Sequence, residues 1–160
     1  MTSWPMTTRS SGDSGIFLPV GSQALERRQF SEAQAHYEHI LAVDPADFGA
    51  RYNLGALAAS RAHWEEARHH LEAALRIDPA SGEAHNVLGS VWFRQGQMAL
   101  ARREFGEAVR LSPKMSMAHY NLGLVLRQDG EAAAATREFR AALECDPRSQ
   151  AARKALAAQN

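Results

Sequence analysis

A repeat of 34 residues most constrains what this chain can fold into, because a period of about 20–50 residues indicates a stack of like units. The prolines that close each unit share one register: Pro45, Pro79, Pro113 and Pro147. The same register aligns four glycines and four alanines: Gly21, Gly55, Gly89 and Gly123, with Ala33, Ala67, Ala101 and Ala135. The sequence therefore predicts one domain of four repeats at residues 14–47, 48–81, 82–115 and 116–149.

Two helices fit within each repeat. Apolar residues recur at helical intervals, as at Leu71 and Ala74, and the second helix should end before the proline, which disfavours helix in the residue ahead of it. Gly96 and Gly130 mark the break between helices, since glycine reaches the left-handed conformation that ends a helix without a side-chain penalty. The second repeat has Ala62 there, so its turn is less clearly indicated.

The two ends of the chain depart from the period. Residues 1–13 are rich in Ser and Thr and predict a disordered tail, with docking of the nearby apolar segment on this chain or a second copy as the alternative. Pro19 predicts that the first helix of the degenerate repeat 14–47 is shortened and begins near that residue. Residues 150–160 predict a C-terminal capping helix, because the last repeat would otherwise expose its apolar face.

Composition excludes several classes of partner. Lys and Arg number 18 and Asp and Glu number 18, so the chain lacks the uniform positive field that supports nucleic-acid binding. The apolar stretch at residues 16–20 is too short for a membrane span or a signal peptide. We therefore expect a cytoplasmic protein with neither a nucleic-acid nor a membrane partner.

The single cysteine, Cys145, cannot close an internal disulfide. It shares a repeat position with three larger apolar residues: Val43, Ile77 and Leu111. This position predicts that Cys145 is a small buried apolar residue and not a reactive thiol.

Catalytic motifs are missing from the sequence. No phosphate-binding glycine loop, nucleophile elbow, zinc helix or dinucleotide fingerprint occurs, which predicts a protein that is not an enzyme and uses no cofactor. Carboxylates such as Glu72, Glu104 and Glu107 lie among arginines and predict solvated helix faces with weak ion pairs.

The seven histidines are the best case for a metal site. Two pairs occupy equivalent positions one repeat apart: His36 with His70, and His85 with His119. Their spacings match zinc motifs poorly, so the sequence predicts polar residues at or near the surface and no metal site.

The segments "YNLGALAA" and "EEARHHLEAALRIDP", and "YNLGLVLRQDGEAAAATREFRAALECDP", share Leu-Gly, Ala, aromatic and Pro positions. In this pattern the chain resembles the tetratricopeptide repeat family, and the resemblance covers residues 14–149. It implies an all-α fold, a right-handed superhelix of about four helix-turn-helix repeats, whose first helices line a concave face.

The same resemblance implies a peptide-binding groove on that face. The side chains expected to project into it are Tyr52, Asn53, Asn86, Ser90, Phe93, Arg94, Tyr120, Asn121, Leu124, Arg127 and Gln128. Rings offer contact area, amides can bond a peptide backbone, and Arg94 and Arg127 favour an acidic group.

Two known binding patterns of the family do not transfer intact. Only Asn53 could match the carboxylate clamp that grips a terminal Asp, since its flanking positions hold Leu18, Ser22, Glu83 and Val87. The asparagine ladder of sugar-transferase repeats is nearer, but Val87 interrupts it between Asn53 and Asn121.

The sequence thus predicts a non-enzymatic module that binds a peptide or extended segment of a partner protein. The alternative is a self-associating scaffold or the docking subunit of a larger enzyme. An apolar edge at Phe17, Leu18 and Leu25 in the first repeat favours that alternative and predicts a homo-oligomer formed through this repeat.

Overall fold

The computed structural model describes residues 27–158, which contain eight helices and no strand. They form two compact units, divided between Pro79 and Ala80. The first unit contains α1 (Arg27–Val43), α2 (Phe48–Ser60) and α3 (Trp64–Ile77). The second contains α4 (Gly82–Arg94), α5 (Met98–Leu111), α6 (Ser116–Gln128), α7 (Ala132–Cys145) and α8 (Gln150–Ala157). The predicted all-α fold class is confirmed.

Three predictions fall outside the described residues. They are the disordered tail at 1–13, the shortened helix near Pro19, and the apolar edge formed by Phe17, Leu18 and Leu25.

Side-chain caps begin three of the helices. The side chains of Asp47, Ser81 and Ser149 accept the backbone N–H groups of Ala50, Ala84 and Ala152 at 2.6, 3.2 and 3.4 Å. Each cap satisfies an N–H group that has no partner within the first helical turn. Short polar residues at these positions therefore set where α2, α4 and α8 begin.

The turns between paired helices share one geometry. Gly96 and Gly130 have φ of 74° and 82°, which confirms the glycine breaks, and Ala62 takes the same left-handed conformation at 59°. The next residue closes each turn by donating its N–H to a carbonyl five residues earlier, as Glu131 does to Leu126 at 2.8 Å. Glycine normally occupies the left-handed position of this helix-ending motif. Ala62 adopts the same conformation with local strain, because its Cβ disfavours it.

A glycine on the first helix of each hairpin faces a large apolar side chain on the second. A Cβ built on Gly55 would lie 2.6 Å from Leu71 Cγ. The corresponding Cβ on Gly123 would lie 2.6 Å from the ring of Phe139, and both large residues are fully buried. Glycine is required here because any side chain would collide with its partner, and the two helices can therefore pack closely.

The core of the second unit extends to its last helix. Phe105 and Phe139 lie in one apolar cluster, to which α8 contributes Ala152 and Ala155. The opposite face of α8 carries the exposed Arg153 and Lys154. Because α8 is amphipathic, its apolar face packs against the core that contains α7, and its charged face contacts water.

Cys145 is exposed, so the prediction that it is a buried apolar residue is wrong. Its repeat position is the last residue of each second helix, where the chain turns away from the core. Val43 and Ile77 at the same position are 78% and 40% exposed. The Cys145 thiol lies 3.6 Å from the carbonyl oxygen of Pro113, to which it donates.

Candidate functional site

The first helices of the second unit meet through polar side chains. Asn121 on α6 donates from Nδ2 to Oδ1 of Asn86 on α4 at 2.9 Å, and Ser90 donates from Oγ to the backbone carbonyl of Asn86 at 2.9 Å. All three side chains are at most 1% exposed. Buried amides persist in an apolar setting only when they are hydrogen-bonded, so this contact fixes the two helices in one register.

One acceptor in this polar cluster accepts no hydrogen bond. The Asn121 Oδ1 oxygen is buried and has no hydrogen-bond partner among the described residues. A buried oxygen without a donor carries the full cost of its lost hydration. The protein encloses this oxygen, so a ligand on the surface does not reach it.

Cationic and aromatic side chains lie further along the same helices. Arg94 ends α4 and Arg127 lies in the last turn of α6, and both are exposed. The Arg127 guanidinium carbon lies 5.7 Å from the centre of the Phe139 ring, within the range of a cation–π contact. Neither arginine forms an ion pair with the described part of the chain, so both charges face water.

Tyr120 and Leu124 are buried residues of α6 that precede Arg127. Each is only 7% exposed, and the Tyr120 ring centre lies 5.8 Å from that of Phe139. Burial raises the pKa of the Tyr120 phenol, while the nearby Arg127 charge opposes the shift. The phenol is therefore neutral at physiological pH.

Two predicted groove residues belong to the first unit. The Tyr52 ring stacks on Phe48 at a centroid distance of 6.0 Å, and Asn53 donates from Nδ2 to the carbonyl of Gly49 at 2.7 Å. The Asn53 amide is thus bonded within its own helix, unlike that of Asn121, which reaches a neighbouring helix.

The eleven predicted groove residues differ widely in exposure. Tyr52, Asn53 and Phe93 are half-buried, Arg94, Arg127 and Gln128 are exposed, and Asn86, Ser90, Tyr120, Asn121 and Leu124 are buried. The structure brings Asn86, Ser90 and Asn121 into direct contact. Asn86 lies one residue before Val87, the position that interrupts the asparagine ladder, and supplies the amide that meets Asn121. Their role in peptide binding stays a prediction.

Sequence reasoning missed a second set of polar contacts. His85 on α4 contacts Glu104 on α5, and His119 on α6 contacts Glu138 on α7, each through Nδ1 and Oε2 at 2.7 Å. Glu104 is 4% exposed, so its assignment to a solvated face is wrong. The available signal was its spacing, since both pairs are 19 residues apart.

A family model describes these repeats. The model for the tetratricopeptide repeat matches residues 21–62, 57–116 and 95–150, which together make up most of the chain. The chain belongs to the tetratricopeptide repeat family. The resemblance predicted from the sequence is confirmed, and so is the fold class, an all-α tetratricopeptide repeat solenoid.

Solved tetratricopeptide repeat proteins share this fold. The crystal structure of MamA matches with a TM-score of 0.75 and 24% identity, over 83% of this chain and 78% of that chain. YrrB, described as having an unusual peptide-binding site, gives a TM-score of 0.69 and 26% identity over 82% and 68% of the two chains.

A peptide-bound relative has the same fold. The first repeat domain of Spaghetti (RPAP3), bound to the HSP90 peptide SRMEEVD, has a TM-score of 0.67 and 19% identity over 70% of this chain and 89% of that chain. None of the curated proteins matches the chain.

Residues 27–158 contain no cluster of three or more His, Cys, Asp or Glu residues placed to hold a metal ion. Residues 27–158 also include no helix that is long and apolar enough to cross a membrane.

Proposed function

We propose that this chain is a non-enzymatic, cytoplasmic interaction module that binds a peptide or extended segment of a partner protein along the first helices of its second unit, α4 and α6. Family membership supports a role in protein–protein interaction. YrrB and the first repeat domain of RPAP3, both described in terms of peptide binding, support a peptide as the form of the ligand.

The two exposed guanidinium groups on the first helices of the second unit are the observation that carries this proposal. Arg94 lies at the end of α4 and Arg127 in the last turn of α6, and neither forms an ion pair within residues 27–158. The buried contact between Asn121 and Asn86 holds these two helices in place before a ligand arrives. Binding to a preorganised surface loses little conformational entropy.

The charge on this face gives the partner its chemistry. Arg94 and Arg127 are exposed and unpaired within the described residues, and a guanidinium group binds a carboxylate through two parallel hydrogen bonds. We infer that the bound segment carries an acidic group near its contact with the ends of α4 and α6.

Selection from a library of extended peptides tests the proposal. We expect the doubly substituted protein Arg94→Glu/Arg127→Glu to bind the selected peptides about tenfold or more weakly, because each lost charged hydrogen bond costs about 1.5–3 kcal/mol. Titration calorimetry on the selected peptides measures the loss.

The matched control reverses two other charges. Arg137 and Arg140 are exposed on α7, a second helix, so Arg137→Glu/Arg140→Glu changes the net charge equally and leaves the proposed face intact. Equal affinities of the two double variants would show that the first helices do not form the binding face.

A self-associating scaffold or docking subunit is the second candidate. Val43 at the end of α1 is 78% exposed, and an exposed branched aliphatic side chain favours a further contact. Sedimentation at two concentrations separates the candidates, since a homo-oligomer sediments faster at the higher concentration and a monomeric peptide binder does not.

A further inference from the structure

A narrow pocket lies between α1 and the α2–α3 turn of the first unit. Its polar lining consists of Gln34 on α1, Arg61 and His63 in the turn, and Glu66 on α3. Leu54 and Leu57 of α2 form part of its apolar lining. The pocket is partly open to solvent, so the end of a side chain from another protein can enter it.

Ion pairs close the equivalent place in the second unit. Arg102 on α5 faces two acids of the α6–α7 turn, Asp129 and Glu131. Its Nη1 atom lies 3.4 Å from Oδ2 of Asp129, and its Nη2 atom lies 3.3 Å from Oε2 of Glu131. One cation on a second helix thus joins that helix to the following turn through two carboxylates.

The first unit reverses these charges. Two repeats earlier in the 34-residue register, the turn carries Arg61 and His63 in place of the two acids, and α1 carries Gln34 in place of the arginine. Arg61 is exposed and forms no ion pair within residues 27–158. The turn therefore has a cation where its counterpart has an anion, and the facing position on α1 is uncharged.

The acids close to this pocket contact other side chains. Oε2 of Glu66 lies 3.3 Å from Nδ1 of His63, and Oε1 of Glu38 accepts a hydrogen bond from Nε2 of Gln34 at 2.9 Å. Arg61 takes part in neither contact. In the part of the chain that the structure describes, its guanidinium group therefore has no carboxylate of its own.

We propose that this pocket binds the carboxylate of an Asp or Glu side chain presented by a partner protein, with Arg61 as the cation that holds it. The incoming carboxylate forms with Arg61 the kind of ion pair that Asp129 and Glu131 form with Arg102. The site belongs to the first unit and is additional to the face formed by α4 and α6. A partner thus supplies the acid that this repeat lacks.

Two features of the pocket favour this contact over an ordinary surface ion pair. A guanidinium group binds a carboxylate through two parallel hydrogen bonds, and apolar side chains beside it reduce competition from water. The backbone at Arg61 is also fixed before binding, since its N–H donates to the carbonyl of Ala58 at 3.1 Å and the N–H of His63 donates to the same carbonyl at 2.9 Å. Binding therefore costs the turn little conformational freedom.

Titration of the full chain with a blocked glutamate tests the proposal. The probe is N-acetyl-glutamate amide, followed through the backbone amide NMR signals of Ala62, His63 and Glu66 at constant ionic strength. We expect saturable shifts of these signals with the glutamate probe and none with N-acetyl-glutamine amide, which has a similar shape and no charge. Shifts of equal size with both probes, or shifts with neither, would overturn the proposal.

Arg61→Gln and Arg76→Gln form a matched pair of variants. Both remove one exposed arginine from the first unit, and only Arg61 lines the pocket. We expect Arg61→Gln to weaken binding of the glutamate probe about tenfold, the effect of one lost charged hydrogen bond, and Arg76→Gln to leave it unchanged. Equal affinities of the two variants would show that the charge of Arg61 does not hold the probe.

A carboxylate built into the pocket gives a second comparison. Gln34→Glu places an acid on the α1 side of the pocket, where it should compete with the glutamate probe and weaken its binding severalfold. Unchanged affinity in this variant would contradict the position assigned to the site. Inorganic phosphate distinguishes a side chain from a free anion, since tighter binding of phosphate than of the glutamate probe would overturn the choice of an acidic side chain.

Discussion

The α2–α3 hairpin of the first unit and the α6–α7 hairpin of the second share a backbone geometry but carry different charged residues. Both turn through a left-handed residue, and both set a glycine against a buried apolar side chain. At equivalent positions, however, α2 and α3 carry Arg51 and His70, whereas α6 and α7 carry His119 and Glu138. One hairpin pairs two basic residues, and the other pairs a histidine with an acid.

This difference separates the apolar contacts that close the hairpin from the polar residues that vary between hairpins. The helices pack in both cases, and both hairpins contain the contact between a glycine and a large apolar residue, so closure does not depend on which polar pair is present. The polar pair is a separate feature that differs between the two hairpins. In α3, the buried Nδ1 of His70 has no hydrogen-bond partner among the described residues, in contrast to both ring nitrogens of His119.

Substitution of the packing glycine should have the largest effect. A Cβ at Gly123 would lie 2.6 Å from the fully buried Phe139 ring, so we expect Gly123→Ala to lower the free energy of unfolding by about 1–3 kcal/mol. Urea unfolding followed by circular dichroism measures the change.

Gly106 on α5 is the matched control for this substitution. No atom lies within 4 Å of a Cβ built there, so Gly106→Ala should raise the free energy of unfolding by up to about 1 kcal/mol through helix propensity. If Gly123→Ala is as well tolerated as Gly106→Ala, the glycine contact does not control closure.

Exchange of the polar pair should have a smaller effect. His70→Glu gives the α2–α3 hairpin the acid found in α7 and places it where the Arg51 charge acts, so we expect a gain in stability of up to about 1 kcal/mol. The control His69→Glu makes the same charge change at the exposed neighbour. Equal changes in urea midpoint for the two variants would argue against a specific pairing with Arg51.

Acidification should give the smallest effect, through the partly buried ring of His70. Burial lowers the pKa of His70, and the charges of His69 and Arg51 lower it further. Its contribution to stability is therefore present above the ordinary histidine value of about 6.5 and is lost as the pH falls through the lowered pKa. Hydrogen exchange in α3, corrected for intrinsic rates, should show less protection at pH 5.5 than at pH 7.5, and His70→Gln should reduce that difference. An unchanged difference in His70→Gln would assign the effect to other groups.

The sequence predicted those features that depend on residues within one repeat. Helical periodicity, the closing proline and the breaks at Gly96 and Gly130 all follow from local conformational preferences, and the structure reproduces them. The left-handed Ala62 was less clear from sequence because alanine does not favour that conformation, and the surrounding packing imposes it.

Features that depend on the rotation of a helix were harder to predict. Cys145 shares a column with apolar residues, but that column falls at a helix end, where burial is incomplete. Glu104 looked like one of many surface carboxylates, yet its oxygens accept hydrogen bonds from His85 and Arg103, which allows its burial. Of the predicted groove residues, spacing alone could not distinguish Asn121, whose amide reaches α4, from Asn53, whose amide bonds its own helix.

The contact between Gly123 and Phe139 also bears on how such a chain can change in length during evolution. Glycine and ring belong to the same 34-residue block, so a duplicated block carries both halves of its own closure. If one block is gained or lost, each remaining hairpin therefore still contains both the glycine and the ring that packs against it. Selection then needs to adjust only the surfaces where successive blocks meet.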